Sequence, residues 1–96
     1  MAITVIARGR ALPGKEQDME KALVDNAIES RKEAACVDYQ VIHSLDDPAV
    51  FGTVERWRSK EDLDRHMQTP HVQRLFAALG PVLAEPPQIG AFEEVG

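Results

Sequence analysis

Cysteine, basic charge, glycine-rich loops and long apolar runs are all scarce in this sequence, and each shortage removes a class of function. Cys36 is the only cysteine, so no disulfide can close within the chain and no Cys-x-x-Cys or zinc-knuckle arrangement exists. Eleven basic residues stand against 16 acidic ones, a net charge of −5, which leaves no basic stripe for nucleic acid phosphates or anionic lipid. No apolar run approaches the ~20 residues of a membrane span. The opening Met1-Ala-Ile-Thr-Val-Ile-Ala-Arg8 has no basic segment ahead of a long apolar one, so no signal peptide is expected. No Gly-x-Gly-x-x-Gly, P-loop or Gly-x-Ser-x-Gly occurs, so no flavin, nicotinamide, nucleotide or serine-nucleophile site is expected. The expected setting is a reducing cytoplasm, with neither nucleic acid nor membrane as partner.

What remains is an ordinary globular composition, 44% hydrophobic and 28% charged, in 96 residues that form one domain over 1–96. A chain this short buries only roughly 60–65% of its unfolded surface, so oligomerisation is the expected remedy for a small core. Ile3 to Ala11 reads as a strand with apolar side chains on both faces. Leu12-Pro13-Gly14-Lys15 is a turn. Glu16 to about Glu33 is a helix with Met19, Ala22, Leu23, Ala27 and Ser30 on one stripe. Cys36–His43 and Val50–Trp57 form a hairpin around Leu45-Asp-Asp-Pro-Ala49, and Val37, Tyr39, Val41 and His43 are expected on one face. Ser59 caps a second helix, with Asp62 three residues on as a capping-box relative. Thr69-Pro70 opens a third, which Gly80-Pro81 ends. Gln88 to Glu94 is a short last strand.

The order β-α-β-β-α-β predicts an α+β protein with the ferredoxin-like split βαβ arrangement and an antiparallel sheet. Its helices cover one face of that sheet. The other face, with Ile6, Ile42 and Val54, is expected to pack on a second copy of itself in a homodimer.

The chemistry gathers in Phe51-Gly-Thr-Val-Glu-Arg-Trp57, the Ser59–His66 helix and Thr69-Pro-His71, which hold the single Trp and two of the three His. Period-two alternation puts Phe51, Thr53, Glu55 and Trp57 on one strand face. If that face meets the helices, Glu55 is a buried carboxylate in need of a donor, and His66 or His71 is the candidate. Otherwise Trp57 is a core residue and Glu55 pairs with an arginine across the sheet. The carboxyl end of a helix favours a protonated His66, and the amino end of the next favours a neutral His71, which suits base and acid roles. Either ring is alternatively a surface group near a cap. His43 is expected to be exposed. Tyr39 is a core phenol or a pocket residue, Arg8 a surface group or an anion binder, and Cys36 a small buried hydrophobe. The five-residue His66–His71 spacing across a Thr-Pro break is no helical ligand pair, so no metal is expected.

Taken in order, Ile3-Thr-Val-Ile-Ala7, Pro13-Gly-Lys15, Cys36-x-x-Tyr39, Asp46-Asp-Pro48, Phe51-x-x-x-Glu55-x-Trp57, His66, Thr69-Pro-His71 and Leu79-Gly-Pro81 resemble the antibiotic biosynthesis monooxygenase family of the dimeric α+β barrel superfamily. The resemblance covers residues 2–95. Members oxidise phenols and quinols, isomerise small phosphorylated molecules, or degrade heme. For heme degradation, the family's asparagine and heme-ligating histidine positions fall at Ala7 and near Phe76, and only Trp57 is kept, so that activity is not expected. The resemblance implies a cofactor-independent monooxygenase that acts on a small aromatic phenol or quinol and O₂. His66, His71 and Glu55 would be catalytic, and Trp57, Phe51, Tyr39, Leu75 and Phe76 would line the substrate pocket. Two alternatives stay open: an isomerase using the same His pair, and a non-catalytic dimeric module binding a small hydrophobic metabolite.

Overall fold

Seven elements make up the protein, a computed structural model that describes residues 2–96. They are β1 (Ile3–Arg10), α1 (Glu16–Ser30), β2 (Cys36–His43), β3 (Val50–Trp57), α2 (Lys60–Met67), α3 (Pro70–Leu79) and β4 (Gln88–Glu93). The strands form one sheet in the order β2-β3-β1-β4, with every neighbouring pair antiparallel. This is the ferredoxin-like split βαβ topology that the order of elements predicts. Gly14 turns the chain from β1 into α1 at φ 84°, in the left-handed region that glycine enters freely. Among the described residues no helix is long and apolar enough to cross a membrane.

Val5, Ala7 and Gly9 of β1 lie on the inner sheet face with Phe51, Thr53, Glu55 and Trp57 of β3, as the register Val5↔Glu55, Ala7↔Thr53, Gly9↔Phe51 requires. Helices cover this face. One buried cluster joins Met19 and Leu23 of α1 to Phe51 and Leu79, and another joins Ala27, Tyr39, Trp57 and Leu63. β1 and β3 approach very closely at Gly52, where a Cβ would lie 2.3 Å from the Ala7 carbonyl oxygen. On the outer face Ile6, Ile42 and Phe92 are exposed around Val54, with no element among the described residues over them.

Two local expectations fail for physical reasons. Helix α1 stops at Ser30 and does not run on to Glu33. Tight three-residue bonds from Lys32 N–H to Glu29 O (3.2 Å) and Glu33 N–H to Ser30 O (3.1 Å) wind its end into a turn. Arg31 then donates through Nε and Nη2 to the Tyr39 carbonyl at 3.0 and 2.8 Å, which ties that turn to β2. In β2 a bulge separates the pairs Cys36↔Trp57 and Asp38↔Arg56, so the extra residue, Val37, is 54% exposed. The bulge switches parity, and Cys36 instead of Val37 shares the inner face with Tyr39, Val41 and His43.

Candidate active site

The site is built where α2 ends, α3 begins and the chain leaves α1. Ser59 caps α2: its Oγ accepts from Asp62 N–H at 3.1 Å and donates to Asp62 Oδ2 at 2.8 Å, so the Asp62 carboxylate meets the Ser59 hydroxyl and not, as in a full capping box, the Ser59 backbone N–H. Arg65, and after it Ser59, hold the Asp62 carboxyl below the usual carboxylate range. Thr69 caps α3 and also donates through Oγ1 to the His66 carbonyl at 2.7 Å, which locks the two helices into a tight corner. His66 in the last turn of α2 and His71 in the first turn of α3 therefore lie close together, ring centroids 5.8 Å apart.

His66 is 3% exposed, and groups from several other parts of the chain surround it. Its Nδ1 lies 2.7 Å from Glu33 Oε2, and its Nε2 lies 3.9 Å from Glu55 Oε1. The Trp57 ring packs on it with centroids 4.1 Å apart. His71 places Nε2 2.9 Å from the same Glu33 oxygen. Glu55 is buried as the strand alternation requires, but its donors are Thr53 Oγ1 at 2.8 Å and Trp57 Nε1 at 3.0 Å. The expected imidazole donor to Glu55 is not within hydrogen-bond reach. Asn26 Nδ2 donates to the Tyr39 hydroxyl at 2.9 Å. Burial, reinforced by the charge of Glu55, pushes the Tyr39 phenol well above its usual range, so it stays protonated. Burial likewise raises the Cys36 thiol, with Glu33 and Glu55 adding to the shift, so Cys36 is no ready thiolate.

A cavity of about 330 Å³ lies between the inner sheet face and the helices. Thr53, Glu55, Tyr39, Asn26 and His66 line its polar end, Met19, Leu23, Phe51, Leu75, Leu79 and Leu83 form its apolar length, and Arg8, Lys60 and Asp64 also border it. Glu55 and Phe51 are four residues apart on β3, so the cavity runs for roughly 13 Å along the strand. Met67, Phe76 and Ile89 line it and are exposed, marking an apolar mouth between β4 and the helices.

Of the residues singled out in the sequence, Phe51, Tyr39, Glu55, His66, Leu75 and Phe76 line this one cavity, and Arg8 borders it. Trp57 does not reach it. The indole is 0% exposed, enclosed with Leu63, Tyr39 and Val5 behind His66, because β3 ends beneath the first turns of α2. His71 does not reach it either, and lines a separate groove between α1 and α3 with Asn26, Glu29 and Arg74. His43 is exposed and stacks on Phe51 at 4.2 Å. Glu33 was not singled out in the sequence: in a helix continued to residue 33 it reads as one more solvated charge. Glu33 Oε2, His66 Nδ1 and His71 Nε2 lie within 4.8 Å of one another, the one such set among the described residues close enough for a shared metal ion. As they stand, hydrogen bonds to the carboxylate join both rings.

The fold that carries this site has counterparts among known proteins. The profile of the antibiotic biosynthesis monooxygenase family matches residues 2–78. The chain belongs to this family. The Methanosarcina mazei Go1 structure described as a conserved protein superposes with a TM-score of 0.93 at 27% identity, covering 99% of this chain and 94% of that one. Rv0793 of Mycobacterium tuberculosis gives a TM-score of 0.94 at 26% identity over 100% of this chain and 97% of that one. An uncharacterised Synechocystis protein is 29% identical over 92 residues, 95% of this chain but 62% of its own length. This family member therefore spans about three fifths of the curated relative it matches.

Proposed function

We propose that this antibiotic biosynthesis monooxygenase family member is a cofactor-independent cytoplasmic monooxygenase that oxidises a small aromatic phenol or quinol with O₂. The observation that carries this reading is His66, a ring nitrogen base, at the polar end of a cavity whose long wall is apolar, with Met19, Leu23, Phe51, Leu75 and Leu79. The phenolic O–H gives its proton to His66, and the resulting imidazolium is stabilised by Glu33 and Glu55 on either side. The phenolate, which the dry cavity makes electron-rich, passes one electron to O₂. The aryl radical and superoxide then combine, forming a C–O bond to a ring carbon. Heterolysis of the O–O bond leaves a ring carbonyl. The departing oxygen leaves as water, with the proton returned by His66 and the proton lost from that carbon. The net change is phenol plus O₂ to quinone plus water, and the substrate is the only reductant.

In this reading Phe51, Leu75 and Phe76 hold the ring, and Tyr39 presents a neutral hydroxyl at the polar end. Two copies pair through the outer sheet face. The test is O₂ uptake with a panel of quinols and naphthols, with ¹⁸O₂ to trace the new oxygen. One labelled oxygen per product is expected. Product whose new oxygen comes from water, or no uptake with any of the panel, overturns the proposal.

A further inference from the structure

Two carboxylates flank His66, and they are not equivalent. Glu55 already accepts from Thr53 and Trp57 and lies 3.9 Å from Nε2, too far to hydrogen-bond the ring. Glu33, 33 residues before His66 in the turn after α1, reaches Nδ1 at 2.7 Å and receives His71 Nε2 at 2.9 Å on the same oxygen. A carboxylate oxygen carries lone pairs only, so both ring nitrogens must bring the protons for these bonds. For a neutral His66 the remaining lone pair then sits on Nε2, the nitrogen on the Glu55 side, where the cavity lies. The opposite tautomer would aim an N–H at the cavity and leave nothing there to accept a proton.

We propose that Glu33 is the positioning residue of this site: it holds His66 as the Nδ1–H tautomer and so exposes a basic Nε2 to the cavity, while His71 acts only through Glu33. The kinetic consequence rests on the proposed oxidation; the tautomer is a property of the protein alone. Glu33 is well placed for this role because both of its backbone groups are fixed. Its N–H donates to Ser30 O at 3.1 Å, and its C=O accepts from Cys36 N–H at 3.0 Å. The carboxylate therefore starts from a rigid turn, not from a mobile loop. The groups that face His66 are Glu33 from the turn, Glu55 and the Trp57 indole from β3, the Tyr39 phenol from β2 and His71 from α3. Of these, Glu33 alone hydrogen-bonds the ring. Its partner oxygen is shared with His71, whose N–H fills the second lone-pair direction and keeps the carboxylate turned towards both rings.

The experiment reads the tautomer first and the rate second. In ¹⁵N-labelled protein, long-range imidazole spectra should show neutral His66 protonated at Nδ1 and bare at Nε2. In Glu33→Ala this preference should collapse to a mixture. Glu33→Gln, which keeps the size of the side chain, should also lose it, because the amide can present either an acceptor or a donor. His71→Ala should keep the His66 tautomer. With an active quinol, Glu33→Ala should lower kcat about 100-fold, within the range of a general-base contribution. KM should stay within about twofold, Glu33→Asp should recover part of the loss, and His71→Ala should lose less than about tenfold. An Nε2–H tautomer in the wild type, or an unchanged Nδ1–H tautomer in both Glu33 variants, overturns the assignment. The expected tautomers in a protein that oxidises no quinol would uphold Glu33 as positioning residue and sink the oxidation instead.

Discussion

Glu55 is a carboxylate whose hydrogen bonds are already taken, and this separates it from the base beside it. Thr53 and the Trp57 indole each donate to one of its two oxygens in a buried setting, so it is anchored beside the ring without hydrogen-bonding it. Trp57→Phe keeps most of the ring volume but leaves Glu55 Oε1 without its donor, and should destabilise the fold by about 1–3 kcal/mol in urea titrations. His66→Ala, checked by circular dichroism for an intact fold, should remove at least 100-fold of any quinol turnover, on the order of a lost general base. Tyr39 adds a pH effect with a definite sign. The unfolded phenol ionises near the ordinary 10.0 of tyrosine, whereas the buried one is held protonated above that. Its contribution to stability is therefore complete below about pH 10 and lost as pH rises further. Thermal melts of Tyr39→Phe should lack this extra alkaline loss; an identical loss in both proteins would place its cause elsewhere. At this scale the sequence yields the cavity residues that lie on a regular period, Phe51, Glu55, His66, Leu75 and Phe76. It does not yield Glu33, because a residue in a non-repeating turn carries no periodic signal, and it misplaces Trp57, because strand parity gives a face but not depth.

The elements follow their local chemistry closely where a cap or a proline marks them. Ser59, Thr69 and Pro70 start α2 and α3 at the residues their side chains predict, and all four strands are legible from alternation and turn residues. The end of α1 and the bulge at Val37 are not legible, since both depend on a tertiary pairing of Arg31 with the Tyr39 carbonyl and of Cys36 with Trp57. Two predictions belong here. Ser59→Ala removes the capping bond from Asp62 N–H together with the hydroxyl bond to the Asp62 carboxylate, and should cost about 1 kcal/mol. Asp62, with its carboxyl held low by Arg65 and Ser59, contributes stability that is present above the ordinary carboxylate range and lost as pH falls through its own lower titration. Asp62→Asn should therefore flatten the acid side of the stability curve. If acid unfolding of the variant follows the wild type, the pair has no net effect.

At the scale of the whole molecule the open sheet face is the unfinished part. Ile6, Ile42 and Phe92 stand exposed around Val54, and stable pairing of two chains through such a face buries on the order of 1,200–2,000 Å². Sedimentation equilibrium should give the mass of two chains at micromolar concentration, and Val54→Lys, which puts a charge at the centre, should give the mass of one. A single-chain mass for the wild type sinks the pairing.

The strand β4 borders both surfaces. Ile89 and Ala91 form a wall of the cavity, while Gly90 and Phe92 point to the outer face, in register with Ile6 and Thr4. Only β1 holds this six-residue edge strand within the sheet. If a second copy packs on Phe92, it steadies the backbone that shapes the far side of the same strand, and ligand affinity and self-association are then expected to strengthen each other by the same factor. Diluting the protein should weaken ligand binding, and saturating ligand should tighten the assembly.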